Sequence, residues 1–273
     1  MRRVDFRPLK VAVSIDGSMY LRAGAGERVP APYSFRWLLP AILRGRVLLW
    51  VIVGTVSLAL IPFAFAAYAG QRTEHWLWAA AIFCCLPILR VMFILPVLTD
   101  ATAFLLALVS ATLAVTDHTV AAVVVALLAG GCRESAPVFA ALWAWSPWPL
   151  LGVLGAGWWV KRPPPNDPSV PDFMREVLGN PIKTVFERRK EAWLDPFLYL
   201  FPWGGALVGL AAGTWQVIVT MAVAYAQLIV ATDNVRLFQW AAPVLVVAAV
   251  DVLPVHWMPL LFVLTLVQNR NSV

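Results

Sequence analysis

The chain has 273 residues, 61% of them hydrophobic and 13% charged, with a mean hydropathy of +0.77 and a formal net charge of +6. Soluble domains run at about 45–50% apolar and about 25% charged residues, so the composition excludes an ordinary soluble enzyme. The Lys and Arg residues flank apolar runs, which points the positive balance at anionic lipid rather than nucleic acid.

Residues 1–46 carry nine of the 21 Lys and Arg residues and read as a polar, amphipathic segment lying at the membrane surface. They hold no compact apolar core followed by a small-residue cleavage site, so no signal peptide is expected. A first membrane helix bundle is predicted over 47–160. Its opening run, Val47 to Gly70, is long enough to cross ~30 Å of hydrocarbon at ~1.5 Å per residue. Trp76 to Leu98 is interrupted by Pro87, Arg90 and Pro96; Ala101 to Thr116, Val120 to Gly131, Ala136 to Trp148 and Pro149 to Val160 are shorter.

The next polar region, 161–196, adds seven more Lys and Arg residues. Within it, over 172–194, Ile182, Val185, Phe186 and Trp193 fall near one helical face, opposite Glu187, Arg188 and Lys190. That pattern predicts an interfacial amphipathic helix lying flat on lipid, with a solvated connecting loop as the alternative. C-terminal membrane helices over 197–273 are expected from Phe197 to Thr214, Gln216 to Thr232, Leu237 to Val250 and Val255 to Val267. Several runs fall short of ~17 residues, which makes some of them tilted, broken or re-entrant. The expected fold class is therefore all-α, a polytopic membrane protein of about eight to ten transmembrane or re-entrant helices. Fourteen tryptophans, many near the ends of apolar runs, fit the aromatic belts of a membrane–water interface.

A charge at the centre of a membrane helix costs ~2.5–3.5 kcal/mol, so charges inside apolar sequence face a cavity, pair, or sit at an interface. Here they are Arg90, Asp100, Arg133, Glu134, Asp233, Arg236 and Asp251. Arg133–Glu134 and Asp233–Arg236 read equally well as local ion pairs or as functional groups. Asp100 begins an apolar run, where a helix dipole favours it, and Asp251 reads as an interfacial helix end. Cys84, Cys85 and Cys132 lie in apolar runs without metal-ligand spacing and read as buried thiols, and the three histidines form no cluster. Outside every run, Asp16 is followed by Tyr20 four residues on and by a proline-flanked aromatic stretch ending in Arg36.

Five stretches in order carry a resemblance: "DGSMYLRAG", "PYSFRWLLPAIL", "PVLTDATAFLLALVSATL", "LLAGGCRESAPVFAAL" and "TDNVRLFQWAAPVLVV". Together they resemble the membrane-embedded C-type glycosyltransferase superfamily, across nearly the whole chain. They are similar to its acidic first loop with a following tyrosine, its Pro-aromatic-x-x-Arg approach to the next helix, its helix opening with Pro and Asp, its Arg-Glu-Ser element and its Arg-then-Pro helix. Members of that superfamily usually have a membrane helix before the acidic loop, and no run before Asp16 is long enough to span; the resemblance is to a short, atypical member.

The resemblance implies a bundle of that type and an inverting transfer of a sugar from a polyprenyl-phosphate donor to an acceptor hydroxyl. A polyprenyl phosphate leaves without a general acid, so one carboxylate acting as base suffices for direct displacement, and arginines neutralise the departing phosphate. Carried over by position, Asp16 is the base, Arg36, Arg133 and Arg236 contact the donor phosphate, and Tyr20, Asp100 and Glu134 line the sugar or acceptor site. No cofactor or metal is expected; the implied partners are membrane lipids, the donor and an unidentified acceptor. The implied location is a multi-pass protein of the plasma membrane with its site on the exterior face. The positive-inside rule instead assigns 1–46 and 161–196 to the cytoplasmic side. Two alternatives stand beside the enzyme: a non-catalytic relative that binds polyprenyl lipid or a membrane protein, and a lipid or solute transporter or flippase.

Overall fold

The structure, a computed structural model, describes residues 2–6, 9–13, 15–30, 32–86, 99–160, 183, 201–227 and 238–271. The expected interfacial helix over 172–194, apart from residue 183, and the second half of the expected Trp76 to Leu98 run lie outside these residues. The chain divides into two compact units: Met1–Ile61 with Met92–Ala141 and Pro147–Gly179, and Pro62–Val91 with Leu142–Ser146 and Asn180–Val273.

The first unit opens with a feature that the all-α expectation lacks. Strand β1 (Arg2–Phe6) pairs antiparallel with β2 (Leu9–Val13), Arg2 opposite Val13 and Phe6 opposite Leu9. The reason is a period of two: Val4 and Phe6 alternate with Arg3 and Asp5, and Leu9, Val11 and Val13 with Lys10 and Ala12. Apart from this hairpin, the described elements are helical.

Helix α1 (Ile15–Gly24) follows directly, then a single 3₁₀ turn at Tyr33–Phe35 and the short helix α2 (Leu38–Leu43). Helix α3 (Val47–Gly70) has the bounds expected from its apolar run and contains Pro62. Its residues Leu48, Ile52, Val56, Leu60 and Phe63 form an exposed stripe at helical spacing, while Trp50, Leu58, Ile61 and Phe65 are buried. A helix apolar on every face belongs in a large core or in lipid.

Helices α5 (Asp100–Val115) and α6 (Thr119–Cys132) form a hairpin, after α4 (Trp76–Cys84) of the second unit. Asp117 supplies the left-handed residue of the α5–α6 turn at φ 61, a conformation Asp tolerates better than most side chains. The Ser110 hydroxyl donates to the Ala122 carbonyl at 2.8 Å across the pair. Helix α7 (Ala136–Ala144) comes next, and the segment expected as another span is a 3₁₀ helix, Trp148–Gly155.

Small residues let this 3₁₀ helix approach α6. A methyl on Gly152 would sit 2.6 Å from the Ala126 Cβ and against the Ala126 backbone. Gly152→Val is therefore expected to lower stability by about 1–3 kcal/mol, read as a lower thermal unfolding midpoint in detergent. Leu151→Val, at a neighbouring exposed position, should change it by less than about 0.5 kcal/mol.

In the second unit, a 3₁₀ segment (Phe201–Ala212) is kinked at Gly204, φ 52. Thr214 caps α8 (Trp215–Ala226) by accepting from the Val217 amide. Helix α9 (Ala242–Val252) is buried continuously from Ala242 to Val250, and α10 (Met258–Asn271) follows a 3₁₀ turn. Asp251 is exposed at the end of α9. The Trp143 carbonyl gathers donors from Tyr68 at 2.9 Å, Arg72 at 2.7 Å and Gln216 at 2.7 Å, and the Trp143 indole donates to the Trp240 carbonyl at 2.7 Å. Cys85 and Cys132 are buried, but Cys84 is exposed, contrary to expectation.

Among the described residues, one helix, α3, is long and apolar enough to cross a membrane. The two halves Gln239–Val252 and Val255–Gln268, bent by 119° between them, meet the same test only together. Four other apolar helices run 10–17 residues. Proline and glycine account for part of the shortening: Pro147, Pro149, Gly152 and Gly155 keep 148–155 from becoming a long α-helix.

Candidate functional site

All of the described candidate site residues belong to the first unit. Asp16 occupies the first turn of α1, and Tyr20 lies one turn further on. The 3₁₀ turn brings Tyr33 against this helix: its hydroxyl donates to Asp16 Oδ1 at 2.6 Å, and its ring meets Tyr20 edge-on at 5.4 Å. Tyr20 stacks on Trp50 of α3 at 5.9 Å and has no exposed surface. Asp16 itself is half-buried.

Arg36 follows the 3₁₀ turn and is 6% exposed. Its Nη1 donates to the Tyr20 hydroxyl at 2.5 Å, and its Nε and Nη2 form a two-pronged pair with Glu134 at 2.9 and 3.0 Å. A guanidinium has five N–H donors, so two remain. The Thr99 hydroxyl reaches the Tyr20 oxygen at 3.5 Å. Beside this group, Arg133 Nη1 donates to Asp100 Oδ1, with both side chains nearly sealed, and Arg133 Nε donates to Ser135 at 3.2 Å.

The expected Arg133–Glu134 pair is thus replaced by two others, Arg133–Asp100 and Glu134–Arg36. The backbone explains the exchange. Arg133 caps α6 in an extended conformation, φ −157 and ψ 123, and successive side chains on extended backbone point to opposite sides.

Burial and the Asp16 carboxylate hold the Tyr33 phenol well above its usual range, so it stays a donor. Burial works against the Arg36 charge, but Glu134 and Tyr20 outweigh it and push the guanidinium well above its usual value. Glu134 shows the same contest: burial raises it, while the charge and hydrogen bonds of Arg36 and the charge of Arg133 bring it down to about 2. A carboxylate depressed on folding contributes stability above its unfolded value that is lost as pH falls through the folded one. The difference in unfolding midpoint between wild type and Glu134→Gln is accordingly expected to be constant near neutral pH and to shrink between about pH 4.5 and about pH 2.

The chain matches no family model, no curated protein and no solved structure.

Asp16, Tyr20, Arg36, Asp100, Arg133 and Glu134 therefore form one connected cluster, drawn from four separate stretches of sequence. Arg236 lies outside the described residues. In this arrangement Asp100 and Glu134 hold the guanidiniums and Tyr20 is sealed; contact between these three and a sugar, as the resemblance implies, requires the cluster to open. Tyr33, Thr99 and Trp50 join the site without having been singled out from sequence. Tyr33 carries a signal in retrospect, a phenol three residues before Arg36 in a proline-flanked stretch; Thr99 and Trp50 carry none. No group of three or more His, Cys, Asp or Glu side chains able to hold a metal occurs among the described residues.

Proposed function

We propose that the protein is a multi-pass membrane glycosyltransferase that moves a sugar from a polyprenyl-phosphate donor to an acceptor hydroxyl. The acceptor oxygen attacks the anomeric carbon from the face opposite the phosphate. The bond from that carbon to the phosphate oxygen breaks, its electron pair stays on the phosphate, and the acceptor proton passes to Asp16. The anomeric configuration inverts. The remaining N–H groups of Arg36 serve the charge that develops on the leaving phosphate, where low local dielectric strengthens the contact. Glu134 and Tyr20 act on the donor through Arg36, by fixing its plane, and Asp100 does the same for Arg133.

The observation that carries this reading is the half-buried Asp16 carboxylate, held by Tyr33 in the same network as Arg36. Support for the membrane setting comes from the apolar stripe of α3. It also comes from exposed tryptophans at or next to helix ends: Trp76, Trp145, Trp148, Trp215 and Trp257. The test is release of free polyprenyl phosphate from labelled polyprenyl-phosphate sugars by the purified protein in lipid, and its dependence on Asp16.

One observation favours a second reading, a non-catalytic protein of the same build that binds polyprenyl lipid or a membrane partner. The cluster holds three carboxylates against two guanidiniums, and each guanidinium already faces a carboxylate. An anionic donor gains most there when a carboxylate moves aside. In that reading Asp16→Asn leaves lipid binding intact and no sugar is transferred by either protein.

A further inference from the structure

The end of α1, the loop that follows it and α2 enclose a pocket of about 310 Å³, at the lower end of the ~300–1,000 Å³ usual for small-ligand sites. Its polar and aromatic lining is Glu27, Arg28, Tyr33, Ser34 and Trp37. Tyr33 is the wall shared with the cluster, since the side chain that lines the pocket also donates to Asp16.

The lining has a defined chemistry. The Trp37 indole N–H is held by the Gly155 carbonyl at 2.8 Å, which fixes the ring and leaves it half-buried. Arg22 holds the Glu27 carboxylate at 2.6 Å, and Arg28 stands exposed at the rim. Ser34 is 2% exposed, and its hydroxyl has no hydrogen-bond partner among the described residues. A purely apolar ligand leaves the buried Ser34 hydroxyl uncompensated and takes water from the rim charges of Glu27 and Arg28 without replacing it. A simple anion gains from Arg28 but meets Glu27. A saccharide ring satisfies both kinds of surface: its C–H face covers the aromatic side chains, and its hydroxyls, each a donor and an acceptor, serve Glu27, Arg28 and Ser34.

We propose that this pocket binds a saccharide ring and that the acceptor of the transfer is therefore a carbohydrate, an inference that rests on the glycosyltransferase reading for its second half. The acceptor hydroxyl approaches Asp16 past Tyr33, whose phenol donates to Asp16 Oδ1 at 2.6 Å.

The test uses the full-length protein in detergent and the methyl glycosides of glucose, galactose, mannose and N-acetylglucosamine, with saturation-transfer NMR as readout. At least one glycoside should receive saturation at its ring C–H protons. Trp37→Ala and Arg28→Ala should each weaken that signal at least about tenfold. Arg28 is exposed and makes no side-chain bond among the described residues, so its variant keeps the test valid if Trp37→Ala fails to fold. Absence of an NMR saturation signal on all four glycosides, or a signal that survives Arg28→Ala, overturns the pocket. Binding that depends on the pocket with no sugar transfer from any donor retains the pocket and overturns the enzyme reading. Asp16-dependent transfer without pocket-dependent binding does the reverse.

Discussion

Asp16→Asn is expected to lose sugar transfer by about 10²–10⁴-fold, the usual contribution of a positioned general base, while unfolding at the wild-type temperature. The two halves of this result have separate physical origins. Asparagine keeps an oxygen at the Oδ1 position, so the Tyr33 hydroxyl still has an acceptor at the place where it donates at 2.6 Å. What it loses is the ability to take a proton from the acceptor. Asp16→Ala is different: it removes the acceptor for a buried phenol, and a buried donor left without a partner costs about 1–3 kcal/mol. The informative comparison is therefore Asn against wild type for activity, and Ala against Asn for stability. Transfer at wild-type rate by Asp16→Asn, measured as polyprenyl phosphate released from labelled donor, would sink the assignment of Asp16 as base. Loss of transfer together with a fall in unfolding temperature would make Asp16 a structural residue.

Much of the molecule was legible where a single physical signal acts over a long stretch. Helix α3 runs from Val47 to Gly70 as its apolar run requires, because the sequence offers no charge, only one internal proline, and Arg46 and Gly70 as ends. The α5 and α6 runs match to within a residue or so at each end for the same reason. The β-hairpin was not legible as readily: five residues per strand give little alternation to separate from a polar tail. In the site, residue types pointed to a carboxylate and arginines, but pairing did not follow from adjacency. Arg133 and Glu134 are neighbours in sequence and face different partners, because one extended residue at a helix end turns their side chains apart. The role of Tyr33 is not legible in sequence because it lies in what its hydroxyl touches seventeen residues upstream, a contact made only when the 3₁₀ turn packs on α1.

The largest stability effect is expected from Arg133→Met, at about 3–5 kcal/mol, the range for removing one partner of a buried ion pair. The magnitude follows from what stays behind. Asp100 is 2% exposed, so water cannot replace the guanidinium, and the carboxylate keeps its desolvation cost without its counter-charge. Arg36→Met should cost less, because the Glu134 side chain it abandons is 25% exposed and remains near the Arg133 charge. The order of the two variants is thus set by the exposure of the carboxylate, not by the number of hydrogen bonds, since Arg36 makes two to Glu134. Replacing both partners, as in Asp100→Leu with Arg133→Met, should recover most of the loss, because the cost of the single variant is an uncompensated charge. Unfolding of the protein in detergent by heat or denaturant measures all three. An Arg133→Met cost below about 1 kcal/mol, the level of an exposed pair, would mean that solvent reaches Asp100. A cluster so open could not strengthen contacts to a leaving phosphate, and the enzyme reading would lose its electrostatic basis along with the stability prediction.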